Sequence, residues 1–229
     1  SVAARGLGDV YKRQTLLNMG IKAKKSSKEL AKISSRLRNK ALEAIAEALG
    51  SSHDVIIDAN KKDLEIGNSA GLTEVTLDRL MLDSSRLNEI CNGVLVVASL
   101  PDPIGEEFDA RTLENGLRIA RRRTPLGVIG SIYESRPNVT ADIASLCLKS
   151  GNACVLRGGS ESVYSNIALA TLIRDAIDQV GIPKDCVQIL EDQNRSLITQ
   201  MLTMKEYFDL LIPRGGADLI RFVGENALM

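Results

Sequence analysis

Gly127-Val128-Ile129-Gly130-Ser131-Ile132-Tyr133 is the stretch that decides the fold. It is a short apolar run, rich in β-branched residues and bounded by turn signals, the pattern of a strand buried on both faces. Outward from it, toward the C-terminus, strand and helix patterns alternate. Residues 139–150 read as a helix stopped at Gly151-Asn152, 153–156 as a strand, and 162–180 as a helix stopped by Gly181 and Pro183. A strand at 187–190, a helix at 196–204, a strand at 208–212 and a helix at 217–224 follow. Such β-α units in succession predict an α/β fold with a parallel sheet covered by helices on both faces, each crossover right-handed.

Toward the N-terminus the reading is helical. Leu30, Ile33, Leu37, Ala41, Ile45 and Ala48 recur every three or four residues, one apolar stripe of an amphipathic helix. Ser26 with Glu29 fits a capping box at its start, and Gly50 fits its end. Further helices are expected over 55–66, closed by Gly67, over 73–82, and after Asp83-Ser84. Pro101-Asp102-Pro103 ends the last of these. Asn115-Gly116, set between two short polar arms, predicts a type I′ hairpin. Its arms carry Arg111, Arg118, Arg121, Arg122 and Arg123, and read as a solvated ribbon or a contact between subunits.

Composition narrows the function. The 229 residues are 44% hydrophobic and 25% charged with zero net charge, which excludes a disordered chain and argues against nucleic acid or an acidic membrane as partner. Only 3% of residues are aromatic, so the arginines lack stacking platforms for bases. No apolar run approaches ~20 residues, the length of a membrane span. Asp9-Val10-Tyr11-Lys12-Arg13-Gln14 resembles the in-frame translation of a sequencing-library adaptor, the alternative being a frayed native terminus. Without residues 1–14 the chain has 26 basic and 28 acidic residues, because that stretch holds three of the 29 bases and one of the 29 acids. The remainder, mildly acidic and without a targeting signal, reads as cytoplasmic.

In open parallel sheets ligands bind beyond the carboxyl ends of the strands. Three of the loops expected there pair an arginine with small or polar residues before a helix: Glu134-Ser135-Arg136-Pro137-Asn138, Arg157-Gly158-Gly159-Ser160-Glu161 and Pro213-Arg214-Gly215-Gly216-Ala217. Paired glycines let backbone N–H groups approach a ligand, a helix N-terminus favours an anion, and arginine adds a bidentate donor. Together they predict a site for a multiply anionic ligand, such as a dinucleotide with an acidic substrate. Neither a G-x-G-x-x-G nor a P-loop motif is present. Cys91, Cys147, Cys154 and Cys186 form no C-x-x-C pair, so no zinc site is expected, and all four read as small buried hydrophobes. His53 reads as a surface or capping residue, and Glu134 and Glu161 as solvated loop carboxylates.

The run from Thr124 to Thr140, the run from Leu146 to Glu161 and the block Ile212-Pro213-Arg214-Gly215-Gly216-Ala217 resemble signatures of the gamma-glutamyl phosphate reductases, with Asn60, Asp63 and Leu64 fitting the helical part. That family lies in the aldehyde dehydrogenase superfamily. The resemblance implies a three-layer αβα Rossmann-like parallel sheet after an N-terminal helical segment: 15–108 helical, 109–125 a hairpin for oligomer contact, 126–229 binding NADP. It also implies NADPH-dependent reduction of L-glutamyl 5-phosphate to the semialdehyde, in the second step of proline synthesis. A cysteine thiolate displaces phosphate, and hydride transfer to the thioester releases the aldehyde. On this resemblance Asn138 stabilises the oxyanion, and Ser135 and Arg136 take the acyl phosphate. Tyr133, Arg157, Gly158, Gly159, Ser160 and Glu161 contact the adenosine side of NADPH, with Arg157 on its 2′-phosphate, and Gly215 and Gly216 approach the pyrophosphate. The family's nucleophilic cysteine matches none of the four present. The chain is therefore expected to be the cofactor-binding half of a longer, homo-oligomeric enzyme. Its expected partners are the small-molecule substrate and glutamate 5-kinase. The alternatives are a non-catalytic nucleotide-binding module and the reductase part of a bifunctional pyrroline-5-carboxylate synthetase.

Overall fold

The computed structural model describes the backbone of residues 2–228 and the side chains of residues 14–228. Apart from Gln14, the stretch read as adaptor-derived lies outside the described side chains. Helices α1 (Val2–Leu30), α2 (Ser35–Ser51), α3 (His53–Ser69), α4 (Glu74–Leu80) and α5 (Ser84–Ser99) come first. The apolar stripe from Leu30 to Ala48 is not one helix. A turn at residues 31–34 interrupts it, and Ser34 caps α2 by accepting the Leu37 N–H at 3.3 Å. Ser26 and Glu29, read as a capping box, lie inside the last turns of α1, where Ser26 is buried. Leu30 and Ile33 pack on the same core as Leu42 and Ile45, so the periodicity runs straight through the break and cannot reveal it.

Gly67 does not close α3 either. The left-handed residue that ends it is Gly71, at φ +75°, and the Leu72 N–H returns to the Gly67 carbonyl at 3.0 Å. Gly67 instead admits Leu72, whose Cδ1 would lie 2.8 Å from an added Cβ. His53 is the first residue of α3, half-buried, with Nε2 unpartnered. Thr73 and Asp83 cap α4 and α5 through Thr76 N and Arg86 N.

Strands β1 (Glu107–Thr112) and β2 (Arg118–Arg122) form the antiparallel hairpin. Its turn is not type I′. Only Gly116 is left-handed, at φ +84°, and its N–H bonds the Leu113 carbonyl at 2.9 Å, a turn closed by a glycine bulge. All five arginines are exposed. Arg121 faces Asp109 at 3.4 Å, Arg123 faces Glu106 at 2.6 Å, and Arg123 covers the Phe108 ring.

The second sheet is parallel throughout, with β3 (Val128–Tyr133), β4 (Ala153–Arg157), β5 (Val187–Ile189) and β6 (Leu210–Arg214) in the order β5-β4-β3-β6. Each strand is followed by a helix: α6 (Asn138–Lys149), α7 (Val163–Gln179), α8 (Arg195–Thr203) and α9 (Ala217–Asn226). β3 is buried along its whole length. Tyr133 meets α6 through Thr140. Ile132 on the other face joins Leu202 of α8 and Val223 of α9. Strand order runs outward from β3 to β5 and then returns to β6 on the far side of β3. Helices α6 and α7 therefore share one face, and α8 falls on the other when every crossover keeps one hand. This reversal opens a crevice at the carboxyl ends of β3 and β6.

Helix α3 fixes the start of α7. Asp63 accepts the backbone N–H groups of Tyr164 and Ser165 at 3.1 and 2.7 Å and the Ser165 hydroxyl at 2.6 Å. Asn60 donates to Ser165 Oγ and to the Leu80 carbonyl, both at 2.9 Å. Both side chains are buried, and a carboxylate at a helix N-terminus is favourably placed. The loop between β4 and α7 is anchored from outside the sheet in this way.

Candidate functional site

The predicted loops converge on the carboxyl edge, but they feed separate clefts: the first two line the pair described next, while Pro213 and Arg214 line a third against α5 and α6. The larger, about 590 Å³, is lined by Tyr133, Glu134, Ser135, Arg157, Gly159, Ser160 and Glu161, together with Arg195 and Thr199 of α8 and Leu219 and Phe222 of α9. The smaller, about 290 Å³, is lined by Arg136, Asn138 and Asp142 and by residues of α4 and α5. Ser135 and Arg136, grouped by the sequence, thus face different cavities. The turn between them is tight: Ser135 is left-handed at φ +52°, and the Arg136 N–H returns to the Glu134 carbonyl at 2.7 Å.

Arg157 ends β4 and is 8% exposed. Its Nη2 donates to the Gln193 carbonyl at 3.2 Å, while Nε is buried without a partner. Burial depresses its pKa, with Glu161 opposing and neighbouring Arg195 adding to the depression. Arginine stays charged in proteins, so the shift reflects the cost of burying this cation, which Glu161 and Glu134 offset only in part. Glu161 is not a solvated carboxylate. Its Oε1 accepts the Ser135 N–H at 2.6 Å and the Ser135 hydroxyl at 2.9 Å, holding the left-handed residue in place. Gly159 makes room for it, since an added Cβ would lie 2.3 Å from Oε1.

Glu134 is exposed, as read from the sequence, and is also engaged. Its Oε2 accepts the Gly216 N–H at 2.9 Å, at the N-terminus of α9 and in the crevice between β3 and β6. A Cβ at Gly215 would approach Oε2 to 2.3 Å, so a side chain there would push this exposed carboxylate aside. A carboxylate of this chain therefore occupies the place the sequence reserved for an anionic ligand. Tyr133 is fully buried, and its hydroxyl lies 2.6 Å from Thr140 Oγ1. Burial pushes its pKa far above the usual tyrosine range. Its hydroxyl is held inside the fold at the end of β3, while the residue still lines the cleft. Thr140 donates to Asn166, Asn166 to Ser162 Oγ, and Ser162 to the Gly159 carbonyl, so a buried polar chain connects β3 to the glycine loop. Gly158 lies against it rather than lining the cleft.

Asn138 is the first residue of α6, and its amide donates to Asp142 at 3.0 Å. Asp142 also pairs with Arg214 at 3.5 Å. Three cysteines are buried and Cys91 is half-buried, all four free. Burial pushes Cys186 up to about 12 and raises Cys91. Cys154 is raised by its hydrogen bond with Cys147 and by burial. Such thiols stay protonated and unreactive at neutral pH. Among the described residues no His, Cys, Asp or Glu cluster suited to a metal ion occurs, and no helix is long and apolar enough to cross a membrane. Arg195 escaped the sequence reading because its loop, Glu191-Asp192-Gln193-Asn194, has no glycine pair. The available signal was an arginine opening the helix after the third strand of the sheet.

A parallel sheet with its ligand edge built from these loops defines the class. The chain belongs to the aldehyde dehydrogenase family, whose model matches residues 14–228. Within that family it is 51% identical over 212 residues to a gamma-glutamyl phosphate reductase of Psychromonas ingrahamii, covering 93% of this chain and 51% of that protein. The crystal structure of the gamma-glutamyl phosphate reductase of Thermotoga maritima superposes with a TM-score of 0.91 at 43% identity, over 93% of this chain and 52% of that one. The Saccharomyces cerevisiae reductase gives 0.85 at 34%, over 93% and 54%. The chain spans about half the length of the relatives it matches.

Proposed function

We propose that this chain is the NADPH-binding part of an enzyme that reduces L-glutamyl 5-phosphate to L-glutamate 5-semialdehyde, a reaction of proline synthesis carried out in the cytoplasm. The observation that carries the reading is Arg157, buried, lining the larger cleft and holding an Nε with no partner. A buried guanidinium with an Nε that no described residue engages is costly unless an acceptor completes it, and the 2′-phosphate of NADPH is such an acceptor. Arg195 supplies a second cation from α8, and Gly159, Ser160 and Glu161 form the wall available to the adenosine ribose. Gly215 and Gly216 present the α9 N-terminus to the pyrophosphate. Bound NADPH supplies the hydride that reduces the acyl carbon. Asn138 and Arg136 face the other cleft, where an amide donor and a free guanidinium suit a developing oxyanion and a departing phosphate. The exposed hairpin is the surface proposed for contact between subunits, and glutamate 5-kinase is the proposed source of the unstable acyl phosphate.

Titration of the chain with NADPH, followed by nicotinamide fluorescence, tests the cofactor reading. Saturable binding that is stronger than for NADH is expected, and no binding at all overturns it. The Glu134 carboxylate competes with the pyrophosphate for the Gly216 N–H, so Glu134→Ala is expected to tighten NADPH binding about threefold to tenfold. Weaker binding by that variant would instead make Glu134 a ligand to the cofactor.

A further inference from the structure

The smaller cleft is lined by more charge than an oxyanion and a phosphate require. Its walls are Asp78, Arg79, Arg86 and Glu89 on α4 and α5, and Arg136, Asn138 and Asp142 at the start of α6. Arg86 is already held by Asp78 at 2.7 Å. Arg79, Arg136 and Glu89 make no ion pair among the described residues. At Asp142, the Asn138 amide and Arg214 both engage Oδ2, and Oδ1 has no hydrogen bond from a described residue. The cleft thus offers two cations and two carboxylates with unfilled valences, a pattern that complements a zwitterion rather than a simple anion. The acids are not gathered into a metal-binding group.

We propose that this cleft binds the α-amino-acid end of the substrate, with Asp142 Oδ1 receiving the ammonium and Glu89 facing it across the cavity. The assignment rests on the reading of the substrate as a glutamyl phosphate. Asn138 and Asp142 are four residues apart on α6 and share a face, with Cβ atoms about 5–6 Å apart at that spacing. Two methylenes separate the reacting carbonyl of a glutamyl group from its ammonium-bearing carbon, a tether suited to that span. Burial raises the Asp142 pKa, and Arg214 offsets this only in part, so the carboxylate gains from a further cation. Arg79 is placed to meet the α-carboxylate while Arg136 remains for the phosphate.

The test uses the 229-residue chain and two probes, L-glutamate and glutarate, which differ by the ammonium group, with affinities read by saturation-transfer NMR. Wild type is expected to bind L-glutamate about tenfold more tightly than glutarate. Asp142→Asn is expected to equalise the two without changing NADPH affinity. Glu89→Gln, at an exposed position with no hydrogen bond or ion pair to a described side chain, is expected to cut the discrimination by about threefold, which guards against a folding defect in the first variant. Equal binding of both probes by wild type, or discrimination that survives Asp142→Asn, overturns the proposal. Discrimination that persists in a chain unable to bind NADPH supports Asp142 and overturns the cofactor assignment alone.

Discussion

Replacing Arg157 by Met is expected to raise the Kd for NADPH about a hundredfold and that for NADH no more than a few-fold. Met keeps most of the aliphatic stem, so packing at the end of β4 changes little. What is lost is the guanidinium of a residue that is only 8% exposed, and a charge-assisted bond in such a setting is worth more than one at the surface. The hydrogen bond to the Gln193 carbonyl disappears as well, which shifts the loop before α8 and accounts for the small NADH effect. Equilibrium titration with both dinucleotides checks the ratio. An equal loss for NADPH and NADH would show that Arg157 shapes the loop without reading the phosphate, and would transfer that role to Arg195.

The difference between Arg157 and Arg195 shows what the sequence disclosed. β3 to β6 and their helices were legible because short strand-like runs of four to seven residues alternate with longer periodic segments, and Gly or Pro marks most of the junctions. The ligand edge followed from that order alone. Side-chain direction was not legible. Ser135 and Arg136 are neighbours in sequence, yet a left-handed residue between two strand-end turns sends them into separate cavities. Glu134 is solvent-facing as its sequence suggests and Glu161 is not, but nothing local marks a partner for either. Their partners, Gly216 and Ser135, lie 82 and 26 residues away. The break between α1 and α2 was hidden for the opposite reason: both helices bury one continuous stripe, so the period survives while the backbone turns. Asp63 and Asn60 fit the family's helical part, but their hold on the α7 N-terminus arises only when the two helices meet.

Gly158→Ala tests whether the buried polar chain behind the cleft is what shapes it. An added Cβ would lie 2.0 Å from Asn166 Nδ2 and 3.1 Å from the Tyr133 ring. A flexible side chain would swing aside at little cost, but Asn166 is buried and bonded at both ends of its amide, to Thr140 and to Ser162. Moving it leaves buried donors and acceptors unpaired, and overpacking adds to that, for a loss of about 3 kcal/mol. In a chain of this size that lowers Tm by about 6–12 °C. Gly93→Ala is the control of opposite sign. Gly93 lies within α5 with nothing inside 4 Å of an added Cβ, so alanine is expected to stabilise by about 0.5–1 kcal/mol through helix propensity. Thermal melts of the two variants separate steric conflict from a general effect of filling glycines. An unchanged Tm for Gly158→Ala would mean that Asn166 is free to move, and the glycine would then be explained by ligand approach rather than by the Tyr133-to-Gly159 chain.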